Sequence, residues 1–206
     1  FNVRKNKRLC KFIFKKIIFL SKHMNEKKIF VVGPNKCGSI SLYYFFEKNG
    51  LKPIHWDSGN LALKIISNLS ANLNPLDGLD KFNCFLDMYF VTKGLYISPL
   101  TIRDKIIDYY PNAIYILNTR NYEKWLTSRD KHGNGDFSER IEKTFKGNYN
   151  PRKEYDSYKE IINYKLKNFH IFNLEESDKF EKLSVFLEKN NIKITDSSEV
   201  HEHKTT

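Results

Sequence analysis

Phe30-Val-Val-Gly33-Pro-Asn-Lys36-Cys-Gly38-Ser39-Ile-Ser41-Leu42 decides how this chain is read. A short apolar, β-branched run predicts a buried strand. A Gly/Pro turn follows, then a lysine, two hydroxyls and a run of Leu, Tyr and Phe that predicts a helix. Backbone N–H groups at such a turn and at the first turn of the helix converge on one spot. The helix dipole adds partial positive charge there. The segment therefore reads as a cradle for an oxyanion.

Its detail departs from the commonest version of that cradle. A triphosphate-binding loop reads G-x-x-x-x-G-K-[ST], with its lysine directly after the second glycine and a Mg²⁺-binding hydroxyl after the lysine. Gly33 and Gly38 have the right separation, but Ser39 stands where that lysine belongs, and Lys36 lies inside the loop. An internal lysine suits a phosphosulfate better than a γ-phosphate on magnesium, and no metal site is expected.

Working outward, strands and helices alternate. Strands are expected at Lys28–Val32, Pro53–Trp56, Phe82–Met88, Ala113–Leu117 and His170–Leu174. Helices are expected at Ser41–Lys48, Gly59–Asn72, Pro99–Tyr110, Tyr122–Asp130, Glu154–Asn168 and Lys179–Lys189. Gly133-Asn-Gly135 reads as a flexible turn and the tail from Thr195 as loose. The alternation predicts a three-layer α/β fold, a parallel sheet flanked by helices, with ligands at the carboxyl ends of the strands. Those ends carry Gly33–Ser41, His55–Asp57, Asp87 and Arg120.

Length and charge bound the rest. The chain has 206 residues, 40% of them apolar, enough for one domain with a real core. Residues 28–194 form that domain, between a basic extension (1–27) and a polar tail (195–206). The net charge of +11 is concentrated at the start, since residues 1–28 hold ten Lys/Arg and one acid. The globular part is nearly neutral, which argues against a nucleic-acid partner. Residues 9–20 are too short and too lysine-rich to span a bilayer, but suit a membrane-surface helix. The three cysteines have no metal-binding spacing and fit a reduced compartment. The expected location is the cytoplasm, or a membrane surface reached through the basic segment.

A second anion site lies further along. Tyr115-Ile-Leu-Asn118-Thr119-Arg120 ends a strand, and Ser128 sits eight residues later on the following helix. A forked guanidinium and a hydroxyl so placed converge on one phosphate.

With both sites in view, the chain resembles the sulfotransferase family that uses 3′-phosphoadenosine 5′-phosphosulfate (PAPS). Lys36-Cys37-Gly38-Ser39-Ile40-Ser41 is similar to the family's 5′-phosphosulfate loop, commonly Lys-x-Gly-Thr-Thr. Arg120 and Ser128 resemble its 3′-phosphate pair at the same spacing. The run Tyr110–Trp125 resembles its approach to that pair, and the likeness extends from about Lys28 to Lys193. Ile40 departs from the pattern, standing where many members carry a hydroxyl; Ser39 and Ser41 are the substitutes at hand. The resemblance implies a transferase with PAPS as co-substrate and no metal. A sulfuryl group would pass to a hydroxyl or amine of a small-molecule, lipid or carbohydrate acceptor, a glycan among them.

In that reading Lys36 stabilises the leaving phosphate, and His55 or Asp87 is the catalytic base. Imidazole, which titrates near neutrality, is favoured. Asp57 would then orient His55, while Trp56 and Tyr89 line the acceptor pocket. Two other readings are a P-loop nucleotide kinase or hydrolase with Asp87 on magnesium, and a nucleotide-binding relative without catalysis.

Overall fold

The structure, a computed structural model, describes residues 27–200. The expected surface helix at residues 9–20 lies outside them, as does most of the basic extension. Five parallel strands form the sheet: β1 (Ile29–Val31), β2 (Pro53–His55), β3 (Cys84–Leu86), β6 (Ile114–Thr119) and β7 (Phe169–Asn173), in the order β2-β3-β1-β6-β7. A small antiparallel hairpin, β4 (Phe90–Val91) with β5 (Tyr96–Ile97), stands apart. The helices are α1 (Ser39–Lys48), α2 (Asn60–Ser70), α3 (Pro99–Tyr109), α4 (Tyr122–Asp130), α5 (Asp136–Phe145), α6 (Pro151–Lys159) and α7 (Lys179–Lys189).

The period-two alternation of the strands builds two separate cores. Ile29, Val31, Ile114 and Ile116 face one side, where α1 and α7 bring Leu42, Phe45, Phe46, Phe180, Leu183 and Leu187. Phe30, Val32, Tyr115 and Leu117 face the other, against Leu61 and Ile65 of α2, Ile102 and Ile106 of α3, and Tyr158 of α6. Both faces are covered, which is why these strands read as continuous apolar runs. The chain leaves β1 for β2 and β3 on one side and returns to β6 and β7 on the other. That reversal opens a crevice beside the carboxyl end of β1.

Three parts of the local reading change. The helix expected over Glu154–Asn168 is shorter: α6 runs Pro151–Lys159 and tightens into a 3₁₀ turn, Glu160–Tyr164. Asn150 caps it, accepting from the Lys153 N–H at 2.9 Å, and Pro151 takes the first helical position, where a missing N–H costs nothing. The turn after α4 is a 3₁₀ turn, His132–Gly135, that leads into α5, an element not expected. Nor is the segment after Thr195 loose up to residue 200. Asn49 Oδ1 accepts from the Thr195 and Asp196 N–H groups at 2.7 and 2.9 Å, Lys48 pairs with Asp196 at 3.3 Å, and Lys179 pairs with Glu199.

One close approach fixes the turn after β1. The Gly33 N–H donates to Asn118 Oδ1 at 2.9 Å, and a Cβ at Gly33 would lie 2.0 Å from the Asn118 carbonyl oxygen. Gly33→Ala is expected to destabilise the domain by about 1–3 kcal/mol, as overpacking does. Urea unfolding measures it, and an unchanged midpoint would mean that β1 and β6 separate freely at this point.

Candidate active site

The loop between β1 and α1 is held from behind, carbonyl by carbonyl. Asn118 Nδ2 donates to the carbonyls of Pro34 at 3.0 Å and Cys37 at 3.3 Å, Trp125 Nε1 to that of Asn35 at 3.0 Å, and Arg120 Nη1 to that of Lys36 at 3.2 Å. Four consecutive carbonyls are thus bound on the side of β6 and α4. Lys36 lies in the left-handed region (φ 61°), and so does Gly38 (φ 81°), the residue before α1. Such alternation of hand is what lets successive N–H groups point into one concavity. The first-turn N–H groups of α1 have no acceptor within their own helix. Cys37 is fully buried beneath the loop against Trp125 and Tyr155, and burial pushes its thiol pKa up. Its side chain is therefore packing rather than nucleophile.

A cavity of about 1610 Å³ opens above this loop. Its walls bring together Lys36, Gly38, Ser39, Ile40 and Ser41 from the loop and α1, His55 at the end of β2 with Trp56 after it, and Asp87 after β3. Arg120 after β6 and Ser128 on α4 complete it. Every candidate except buried Cys37 therefore meets in one cleft, although the residues come from four separate strand ends. Ile40 is 40% exposed on the wall.

His55 and Asp87 are partners as well as candidates. His55 Nε2 lies 3.5 Å from Asp87 Oδ2 and 3.0 Å from Ser39 Oγ. Tyr43 stands edge-on to the imidazole at 6.3 Å. Asp57, expected to orient the histidine, is instead exposed in the 3₁₀ turn Asp57–Gly59, and Asp87 takes that place. Ser39, expected at the phosphate, spends its hydroxyl on His55. Burial raises the Asp87 pKa, against the opposing pull of His55, His132 and Lys36. Asp87 is also left-handed (φ 52°), a conformation costing about 1–3 kcal/mol that persists where the surroundings over-determine it. Burial lowers the Lys36 pKa, with Asp87 pulling it back up.

Three functional neighbours escaped the sequence reading: His132, Asn118 and Trp125. His132, in the turn after α4, places Nδ1 3.5 Å from Lys36 Nζ. Asn118 and Trp125 hold the loop carbonyls, and the Tyr89 hydroxyl accepts from the Asn35 N–H at 3.2 Å. Asn118 carried a signal, a polar residue within an otherwise apolar buried strand. His132 carries none, because the Gly133-Asn-Gly135 turn that aims it reads from sequence as flexible. Trp56, expected at the acceptor pocket with Tyr89, is 49% exposed on the rim, while Tyr89 is buried in the wall.

A sheet covered on both faces, with a polar cleft over its switch point, defines a doubly wound α/β protein whose chemistry sits at the strand carboxyl ends. The chain belongs to the sulfotransferase domain family, whose model matches residues 28–191. That domain carries sulfuryl transfer in general, which makes the protein a transferase by family. No curated protein matches the chain. Among the described residues there is no cluster of three or more His, Cys, Asp or Glu able to hold a metal ion, and no helix long and apolar enough to cross a membrane.

Proposed function

We propose that the protein transfers a sulfuryl group from 3′-phosphoadenosine 5′-phosphosulfate to a hydroxyl or amine of a small-molecule, lipid or carbohydrate acceptor. One observation carries this reading: Lys36 and Arg120, the two cationic grips, line a single cavity and are joined through the Lys36 carbonyl at 3.2 Å. The residues fit the donor chemically. A loop whose carbonyls are all engaged behind it suits a 5′-phosphosulfate. Arg120 lines the same cavity, and its forked guanidinium is a donor suited to a phosphate.

The donor supplies an activated sulfuryl group on a phosphate leaving group. The protein's part is positioning and charge stabilisation. Lys36 faces the charge that develops on the leaving oxygen. His55 takes the proton from the attacking hydroxyl as the new S–O bond forms and the old S–O bond to phosphate breaks. Asp87, 3.5 Å from Nε2, then balances the imidazolium. His132 lines the same cavity, with Nδ1 3.5 Å from Lys36 Nζ.

The test is transfer of ³⁵S from labelled PAPS to a broad acceptor panel without magnesium, set against ATP and GTP hydrolysis with it. Label appearing on an acceptor supports the proposal; magnesium-dependent triphosphate turnover alone would overturn it. Arg120→Ala is expected to weaken adenosine 3′,5′-bisphosphate binding about ten- to a hundredfold, the worth of a charge-assisted hydrogen bond. Calorimetry reads this directly, and unchanged affinity would remove Arg120 from the nucleotide grip.

A further inference from the structure

We infer that Glu175 is a resident counter-anion for the cations that receive the nucleotide's 3′-phosphate, and that it sets how tightly the nucleotide is held. This rests on the proposed donor. Glu175 directly follows Leu174 after β7, its N–H held by Asn173 Oδ1 at 3.2 Å. Its Oε1 lies 3.6 Å from Arg120 Nε, and its Oε2 accepts from Lys124 Nζ. Arg120 and Lys124 both line the cavity beside Ser128, so Glu175 stands behind the cations an incoming phosphate would meet.

Lys124 was not among the residues expected here. It adds a second cation to Arg120 one turn before Ser128, and Glu175 ties the two together. The hydrogen bond from Lys124 holds the Glu175 carboxyl below its ordinary range, with further help from the Arg120 charge. Glu175 is therefore ionised at neutral pH.

An arriving 3′-phosphate dianion must share Arg120 and Lys124 with that carboxylate or displace it. Net affinity is the difference between the two states. A weakened grip suits a transferase, whose bisphosphate product must leave before the next donor enters and whose turnover product release often limits. A nucleotide lacking the 3′-phosphate has no group at this position and should be indifferent to Glu175.

The experiment is calorimetric titration of adenosine 3′,5′-bisphosphate and adenosine 5′-monophosphate into the full chain and its Glu175→Gln and Lys124→Met variants. Circular dichroism verifies the fold of each. Glu175→Gln keeps the side-chain shape and an acceptor for Lys124 while removing the charge. It should tighten the bisphosphate about fivefold, the upper end for a partly exposed ion pair, and leave the monophosphate unchanged. Lys124→Met should loosen the bisphosphate alone. The inference is overturned if Glu175→Gln loosens the bisphosphate, leaves it unchanged, or tightens both nucleotides equally. Looser binding would make Glu175 a positioning residue for Arg120. A native chain that binds neither nucleotide would sink the proposed donor and this inference together. Bisphosphate binding that ignores Glu175 would sink this inference only.

Discussion

Lys36→Ala should cut transfer of ³⁵S from labelled PAPS by about 10²–10³-fold while leaving the thermal unfolding midpoint nearly unchanged. The factor is that for removing one preorganised group that stabilises developing charge, about 2.7–4 kcal/mol. The fold should survive because the Lys36 side chain makes no core contact. Its contacts are with cavity-facing groups: Nζ lies 3.5 Å from His132 Nδ1. Alanine also keeps the backbone cost of the left-handed position (φ 61°) close to that of lysine, so the comparison isolates the ammonium. The loop should persist, since its carbonyls are held by Asn118, Trp125 and Arg120 rather than by Lys36 itself. Nucleotide affinity, measured with adenosine 3′,5′-bisphosphate, should fall less than kcat, because the charge Lys36 faces is greatest as the S–O bond breaks. Turnover within a fewfold of the native chain would place the stabilising cation elsewhere, with Arg120 the next to test.

The second large effect separates His55 from Asp87. Loss of a positioned general base costs about 10²–10⁴-fold. His55→Ala should show a loss in this range in kcat, with bisphosphate affinity retained. Asp87→Asn should lose less, because the carboxylate acts through the imidazole at 3.5 Å rather than on the acceptor. The split between the two variants carries the assignment. If Asp87→Asn is as damaging as His55→Ala, and His55→Gln restores activity, the carboxylate is the base and the histidine its support. The raised Asp87 pKa gives that outcome a physical route, since burial makes this carboxyl a better proton acceptor than an exposed aspartate. Equal and small losses would put the base outside this pair.

The likeness between Lys36–Ser41 and a phosphosulfate loop, and between Arg120 with Ser128 and a 3′-phosphate pair, was legible because those features are local. A turn, a lysine and a helix start are written in consecutive residues, and an eight-residue spacing from a strand end to the helix that follows it survives folding. The layer order was equally legible. Strands that place Ile29 and Val31 on one face and Phe30 and Val32 on the other need helices on both sides, and the chain supplies them in alternation. Family membership over residues 28–191 agrees with that reading.

Relations between distant segments were not legible. His55 and Asp87 read as rivals because nothing in two strand ends 32 residues apart says that β2 and β3 are neighbours; pairing of His55 with Leu86 in the ladder sets them side by side. Asp57 looked like the orienting acid because it is near His55 in sequence. Four consecutive left-handed residues, Trp56–Gly59, turn it away. Glu175 carried no sequence signal at all, since its meaning depends on β7 lying against β6, which brings it to Arg120 and Lys124. The sequence alone therefore determined the layers, the anion loop and the kind of residues available to it, all properties of short-range periodicity and turn chemistry. The tertiary structure decided which charges face one another, because Coulomb energy and hydrogen bonding act over a few ångströms of space and take no account of separation along the chain.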